Sequence, residues 1–106
     1  MKENKFQGDL IKEIKEMFPD SMVLKNDAGY IQGIPDLSIF YRDKYAFLEC
    51  KKSRNEKHQP NQDWYVEKID GMSFARFVYP ENKEEVLHEL QELFEPERPT
   101  CVSEPE

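Results

Sequence analysis

Residues 33–51 read GIPDLSIFYRDKYAFLECK. Two apolar runs within this stretch, 37–41 and 45–50, are rich in the β-branched and aromatic residues that favour strands. The polar residues 42–44 between them predict a tight three-residue turn. The stretch therefore predicts an antiparallel β-hairpin, and the rest of the chain is interpreted around it.

Two carboxylates and an amine lie at one end of this predicted hairpin. Asp36 precedes the first strand, Glu49 stands near the end of the second, and Lys51 leaves the strand on the same face as Glu49. Mg²⁺ prefers oxygen ligands and is often held by one or two carboxylates. Asp36 and Glu49 can supply these, with the backbone carbonyl of Cys50 as a third ligand. Lys51 can then orient a metal-activated water or stabilise charge on a phosphoryl group.

The alternative interpretation is that Asp36 is a turn residue and that Glu49 and Lys51 are solvated charges, because Glu-x-Lys alone is common. The position of Glu49 directly after the apolar residues 45–48 favours the site, since a buried acid needs a partner. The pattern therefore predicts a divalent-metal site suited to phosphodiester hydrolysis.

The rest of the chain supplies one more strand before the hairpin in sequence, one more after it, and three helices. The predicted elements are a helix over residues 4–18, strands over 22–24, 37–41 and 45–50, a helix from Pro60 to Ile69 that Asp70-Gly71 ends, a strand over 74–79, and a last helix capped by Asn82. The order α-β-β-β-α-β-α predicts a small mixed sheet flanked by helices, an α/β or α+β fold.

Length and charge limit the class of protein. The 106 residues predict one domain over residues 1–94 and an acidic, proline-rich tail over 95–106 that is disordered. No apolar run reaches the roughly 18 residues of a membrane span, and no signal peptide opens the chain, so we expect a soluble cytoplasmic protein. The net charge of -7 argues mildly against nucleic acid as a partner, yet residues 41–58 carry six Lys or Arg and three acids.

The hairpin motif resembles that of the Pro-Asp…(Asp/Glu)-x-Lys, or PD-(D/E)XK, nuclease superfamily. Within it, the chain is most similar to the virus-type replication-repair nuclease family (VRR-NUC) of phages and prophages, over residues from about Glu3 to Leu90. Further similarities are the opening pattern Glu3-x-x-Phe6-Gln7, the turn Asn26…Gly29, and Gln62 on the helix after the hairpin.

This resemblance implies a restriction-endonuclease-like core and assigns roles to particular residues. Asp36 and Glu49 would be metal ligands and Lys51 the catalytic lysine. Glu3 would complete the metal site directly or through water, with Glu13 as the alternative. Gln62 would support the lysine or contact phosphate, and Gln59 competes for that role.

The function implied is a Mg²⁺- or Mn²⁺-dependent DNA endonuclease of DNA repair or recombination. Its substrate would be branched DNA, a Holliday junction or a flap, and a homodimer would cut two strands in a bacterium or a phage-infected cell. Two alternatives stay open. One is a restriction-type or other PD-(D/E)XK nuclease, and the other is a non-catalytic DNA-binding or protein-interaction module on the same fold.

Residues beside the motif are candidates for contact with DNA. Lys52, Arg54, Lys57 and His58 are predicted phosphate contacts, and the alternative for all four is a solvated loop. Tyr30, Trp64 and Tyr65 can stack on bases, although packing in the core or at an interface is the competing interpretation.

Overall fold

The computed structural model describes residues 3–96, without the side chain of Glu3. Residues 97–106, which form most of the predicted tail, lie outside the described residues. The predicted order α-β-β-β-α-β-α is confirmed. The elements are α1 (Glu3–Met17), β1 (Met22–Lys25), β2 (Leu37–Tyr41), β3 (Lys44–Cys50), α2 (Gln62–Met72), β4 (Ala75–Val78) and α3 (Lys83–Phe94), with a 3-10 turn at Pro80–Asn82 before α3.

The four strands form one mixed sheet in the order β1-β2-β3-β4. β1 pairs antiparallel with β2, and β2 pairs antiparallel with β3, so the first three strands form a meander. β4 runs parallel to β3, which requires a crossover, and α2 provides it. The mixed α+β class predicted from the sequence is therefore confirmed.

The hydrophobic core lies between one face of the sheet and the two outer helices, α1 and α3. Alternate residues of β2 and β3 point into it, as the period of two in a strand requires. The rings of Phe18, Tyr41 and Phe94 meet there with centroids 5.2–5.3 Å apart. The other buried members include Phe6, Leu10, Ile14, Leu37, Ile39, Ala46, Leu48, Cys50, Val78, Val86, Leu87 and Leu90.

The opposite face of the sheet is covered unevenly. α2 contacts β3 and β4, and it buries Gln62 and Val66. The β1–β2 side of that face leaves Met22, Leu24 and Phe40 exposed. Helix α2 and this face carry the candidate site. No helix in residues 3–96 is long and apolar enough to cross a membrane.

The turn of the β2–β3 hairpin is shorter than predicted. Tyr41 pairs directly with Lys44, so the turn has two residues, Arg42 and Asp43, and the three-residue turn is wrong. Arg42 has a φ of 59°. A positive φ at the first turn residue lets a two-residue turn follow the right-handed twist of the strands, and Lys44 therefore joins β3.

The helix after the hairpin begins later than predicted. Pro60 lies in a turn, and α2 starts at Gln62 rather than at Pro60. Asn61 precedes the helix with a left-handed φ of 72°. This conformation, which asparagine tolerates better than most residues, redirects the chain into α2.

The predicted end of that helix at Asp70-Gly71 is also wrong. α2 continues to Met72. The Asp70 carboxylate, inside the last turn, accepts the Ala75 N–H at 3.1 Å, so this residue joins the helix to β4 instead of breaking the helix. β4 itself occupies 75–78, shorter than the predicted 74–79.

Asn82 stands directly before α3, as predicted, but its side chain does not cap that helix. Its Oδ1 accepts the Tyr79 N–H at 2.9 Å and its Nδ2 donates to the Phe77 carbonyl at 3.0 Å. The residue therefore closes the turn between β4 and α3.

Candidate active site

The hairpin brings Asp36 and Glu49 opposite each other. Leu37 pairs with Leu48, so the next residue outward on β2, Asp36, faces Glu49 on β3, and both side chains leave the same face of the sheet. The Cys50 N–H donates to Asp36 Oδ2 at 3.0 Å. This bond ties the aspartate to the end of β3.

Asn26 fixes the backbone that carries Asp36. Its N–H donates to the Asp36 carbonyl at 2.7 Å, and its Nδ2 lies 2.9 Å from the Pro35 carbonyl and 2.7 Å from Ser38 Oγ. The end of β1 is therefore bonded to both sides of Asp36. The sequence indicates only a turn at Asn26, because a contact across 12 positions has no local pattern.

A close contact joins the loop before Asp36 to the start of α2. Gly33 has a φ of 91°, and a Cβ added there would lie 2.5 Å from Asn61 Cβ and 2.9 Å from the Pro60 carbonyl oxygen. Only glycine fits this approach without strain. The contact holds the strand with Asp36 beside the helix with Gln62.

Lys51, Glu49 and Gln62 form a buried polar network. Lys51 Nζ donates to Gln62 Oε1 at 2.7 Å and to the Lys57 carbonyl at 3.3 Å. Gln62 Nε2 donates to Glu49 Oε2 at 2.7 Å, and Lys51 Nζ lies 4.0 Å from that oxygen. The side chains of Glu49 and Lys51 are each only 3% exposed. The charges therefore lie outside bulk solvent and depend on each other and on the amide.

The structure places Gln62, and not the side chain of Gln59, at this network. The Gln59 side chain is exposed, while its backbone N–H donates to Gln62 Oε1 at 2.8 Å. Gln59 thus contributes through its backbone. The sequence left both Gln59 and Gln62 as candidates because it predicted that the helix starts at Pro60, whereas α2 starts at Gln62.

Burial raises the pKa of Asp36 above its ordinary value of 3.8. The Cys50 N–H and the charge of Lys51 act in the opposite direction, and the carboxylate of Glu56 adds to the increase. Glu56 is half-buried and accepts the Lys52 N–H at 2.7 Å. No sequence pattern indicates Glu56, since only the folded loop brings it toward Asp36.

The donor set suits a hard divalent cation. Asp36 and Glu49 stand at opposing positions on one sheet face, and Cys50, whose carbonyl is the predicted third ligand, is bonded to Asp36 through its N–H. Within residues 3–96, no three His, Cys, Asp or Glu side chains converge as a complete protein ligand set. A site with two carboxylates is typical of Mg²⁺, which keeps several of its waters.

The two predicted glutamates of α1 have different outcomes. The side chain of Glu3 lies outside the described residues. Glu13 Oε1 lies 3.0 Å from Lys83 Nζ at the start of α3, so it pairs across the two outer helices and is not brought to Asp36 and Glu49.

The loop after β3 lies over the site with its basic side chains outward. Lys52, Arg54 and Lys57 are exposed, and the Arg54 guanidinium lies 5.7 Å from the centre of the Tyr79 ring. His58 is held more closely, stacked on Phe77 and bonded to Asp63. No local sequence pattern indicates Asp63, because its pairing with His58 crosses a turn whose geometry was not predicted.

Core packing is excluded for two of the three candidate stacking aromatics. Tyr30 is 85% exposed in the loop before Asp36, and Trp64 is 58% exposed on the first turn of α2. Tyr65 is half-buried, with its ring edge-on to Trp64 at 4.9 Å between centroids.

Comparisons of this chain with protein-family models, with curated proteins and with solved structures found no match. What the protein does is therefore inferred from the arrangement of Asp36, Glu49, Lys51 and Gln62.

Proposed function

We propose that this protein is a Mg²⁺- or Mn²⁺-dependent DNA endonuclease of the PD-(D/E)XK type, similar to VRR-NUC enzymes. One observation carries the proposal. The Gln62 amide joins the buried carboxylate of Glu49 to the buried ammonium of Lys51, and Asp36 lies opposite Glu49 on the same face. A buried acid and amine held beside a second acid are expensive to maintain, so their convergence favours a chemical role.

Each of these residues would have a separate role in phosphodiester hydrolysis. Asp36 and Glu49 would hold the cation, with the Cys50 carbonyl beside them. When bound, the metal supplies an activated water and polarises a phosphoryl oxygen. Lys51, held by Gln62 and the Lys57 carbonyl, directs its ammonium toward the developing negative charge. Because burial raises the pKa of Asp36, metal binding would release a proton when that residue starts protonated.

Branched DNA is the proposed substrate, and a homodimer the proposed assembly, because the family resemblance implies both. The exposed cations of the loop after β3 support a nucleic-acid partner. The net charge of -7 weakens non-specific attraction to DNA, so recognition of shape is favoured over attraction by charge alone.

The test is cleavage of labelled four-way junction, flap and linear duplex DNA in Mg²⁺ and in Mn²⁺. The variants Asp36→Asn, Glu49→Gln and Lys51→Met conserve shape, so that packing is kept while charge is removed. Because Glu49→Gln or Lys51→Met leaves its partner's buried charge alone and is destabilising, folding is checked for each variant. Each is expected to reduce cleavage by at least 10²-fold, as removal of charge stabilisation does elsewhere. Preference for junction or flap over linear duplex separates the proposed class from a restriction-type enzyme.

The matched control is Lys44→Met, at the other end of the same strand, whose amine bonds the Leu93 carbonyl. It is expected to cleave like the wild type. Circular dichroism checks that each variant is folded. Folded Glu49→Gln and Lys51→Met proteins that cut at the wild-type rate would overturn the assignment.

A non-catalytic binding module is the second candidate, and the acidic net charge is the observation that favours it. Calorimetric titration with Mn²⁺ separates the two. The nuclease requires heat of binding that Asp36→Asn abolishes, whereas absence of Mn²⁺ binding supports the module, whether its partner is DNA or another protein.

A further inference from the structure

We propose that His58, held by Asp63, is a phosphate-binding residue of the same site, contacting a backbone phosphate of the DNA strand that lies at Asp36 and Glu49. This inference rests on the proposed function. It makes the predicted phosphate contact of His58 specific, because it assigns the contact to Nε2 and its orientation to Asp63.

The His58 ring is fixed in orientation by two contacts. It stacks on Phe77 with centroids 4.1 Å apart and planes 16° from parallel. Its Nδ1 lies 2.7 Å from Asp63 Oδ1 in the first turn of α2. A stacked ring with one nitrogen bonded has little freedom, unlike the solvated histidine that the sequence left as an alternative.

The chemistry of Asp63 determines which nitrogen can serve a ligand. An ionised carboxylate only accepts hydrogen bonds, so Nδ1 carries the proton in this pair. Nε2 is the nitrogen that remains for a ligand, and the ring is 36% exposed. A phosphodiester oxygen only accepts hydrogen bonds, so the contact uses the imidazolium form, in which Nε2–H donates. Among the groups in contact with the ring, α2 contributes Asp63 and β4 contributes the uncharged Phe77.

Three connections place this ring beside the proposed metal site. Phe77, under the ring, is the register partner of Glu49 on the neighbouring parallel strand. The carbonyl of Lys57, the preceding residue, accepts a hydrogen bond from Lys51. Asp63 follows Gln62 directly. The imidazole therefore lies on the same sheet face as the carboxylates and the lysine, where an anionic strand would pass.

The test is a double-mutant cycle between the protein and single phosphates. Binding of a fluorescein-labelled four-way junction is measured in EDTA, with neutral methylphosphonates replacing one phosphate at a time around the cleavage position found for the wild type. We expect one or two positions where neutralisation weakens the wild type by about 5–10-fold and the His58→Ala protein not at all. Asp63→Asn is expected to weaken the same coupling.

The matched controls are His88→Ala, the exposed histidine of α3, and Glu67→Gln, an exposed acid of α2. Both should give the wild-type pattern at every phosphate. If His58→Ala weakens binding equally for every substituted junction, the residue has only a structural role and the inference is wrong. If the wild type neither binds nor cuts any of the three DNA forms, the proposed nuclease fails and this inference fails with it. Cleavage without phosphate coupling at His58 overturns the inference alone.

Discussion

The Gln62 side chain makes three hydrogen bonds, two as an acceptor and one as a donor. Its oxygen accepts from Lys51 and from the Gln59 N–H, while its nitrogen donates to Glu49. A carboxylate has no donor when ionised, and an ammonium has no acceptor, so the group between the two charges must both accept and donate, as the amide does. Gln62 therefore aligns both charged residues without adding a charge.

Gln62→Ala is expected to reduce both stability and cleavage. Lys51 and Glu49 would each lose a buried hydrogen bond, which costs about 1–3 kcal/mol in the free energy of unfolding. Cleavage should fall about 10–100-fold, as it does when groups that orient metal ligands are removed. Urea unfolding and a single-turnover assay measure the two effects.

Gln59→Ala is the control, because the contact of Gln59 with the site uses its backbone N–H. It should change the free energy of unfolding by less than about 0.5 kcal/mol. A Gln59→Ala protein that loses more activity than Gln62→Ala would reverse the roles assigned to the two glutamines.

Asp36 gives the protein a pH-dependent stability in the absence of metal. Its pKa is raised in the folded state, so its protonated form is favoured there, and stability is lost as pH rises from 3.8 through the raised pKa. Asp36→Asn should therefore be more stable than the wild type at neutral pH in EDTA. The difference should vanish below pH 3.8, where the wild-type carboxyl is protonated in both states.

Urea unfolding midpoints across this pH range measure the difference in stability between Asp36→Asn and the wild type. The same measurement with added Mn²⁺ tests whether Asp36 binds the metal. Saturating Mn²⁺ should stabilise the wild type, by about 2.7 kcal/mol at one hundred times the Kd, and leave Asp36→Asn unchanged. An asparagine variant that is less stable than the wild type at neutral pH in EDTA would contradict the effect of burial.

At the scale of residues, the sequence predicted the site residues that belong to one short motif. Asp36, Glu49 and Lys51 are close along two adjoining strands, and hairpin pairing follows from local patterns. Asn26, Glu56 and Asp63 lie in or beside loops whose course depends on left-handed residues and tertiary contacts. Their roles had no periodic signal from which they could be predicted.

At the scale of elements, the junction between the loop before β2 and the start of α2 is the most constrained. Gly33→Ala would place a methyl group against Asn61 and force a residue with a side chain to keep a φ of 91°. We expect a loss of more than about 1 kcal/mol in the free energy of unfolding. Cleavage should also fall, because Asp36 and Gln62 lie on either side of this contact.

Gly8→Ala in α1 is the matched control with the opposite sign. Apart from the backbone of α1 itself, nothing lies within 4 Å of the added Cβ. Alanine in a helix interior is favoured over glycine by about 0.5–1 kcal/mol, so this variant should be more stable than the wild type. Thermal unfolding of the two variants side by side decides whether the close approach or the glycine itself matters.

The type and order of the elements were predictable because hydrophobic periodicity distinguishes helices from strands. Their ends were less so. The two-residue turn depends on the positive φ of Arg42, a residue type that does not predict one. Helix α2 depends on that of Asn61, a residue type that tolerates a positive φ without requiring it. The end of α2 was misplaced because Asp70-Gly71 is a turn pattern that here lies inside a helix.

At the scale of the whole molecule, the distribution of charge matters more than its sum. The chain carries -7 overall, yet the loop that covers Lys51 exposes Lys52, Arg54 and Lys57. Lys57→Ala should weaken junction binding and reduce the slope of log affinity against log salt by about 0.9, the value for one phosphate contact.

Lys12→Ala is the comparison, since Lys12 is exposed on α1, a helix of the opposite sheet face. Its salt slope should match that of the wild type. Equal slopes for all three proteins would mean that the loop does not contact phosphate.

Sheet order is the feature of the whole molecule that the sequence left open. A mixed sheet was predicted, but the parallel pairing of β4 with β3 depends on where α2 crosses, which no local pattern specifies. That pairing brings Phe77 beside Glu49 and so creates the support for His58.

The residues of the site lie on two segments that can unfold locally and independently of each other. Asp36 and Glu49 are fixed by the β2–β3 hairpin, whereas the cover over Lys51 comes from the loop 52–61 and the first turn of α2. Fraying of that turn would expose the amine and the acid to water while the two carboxylates stayed opposite each other. Amide hydrogen exchange that is faster at 59–65 than in β3 would reveal this local opening. The opening would let a bulky phosphodiester reach the site without disrupting the sheet.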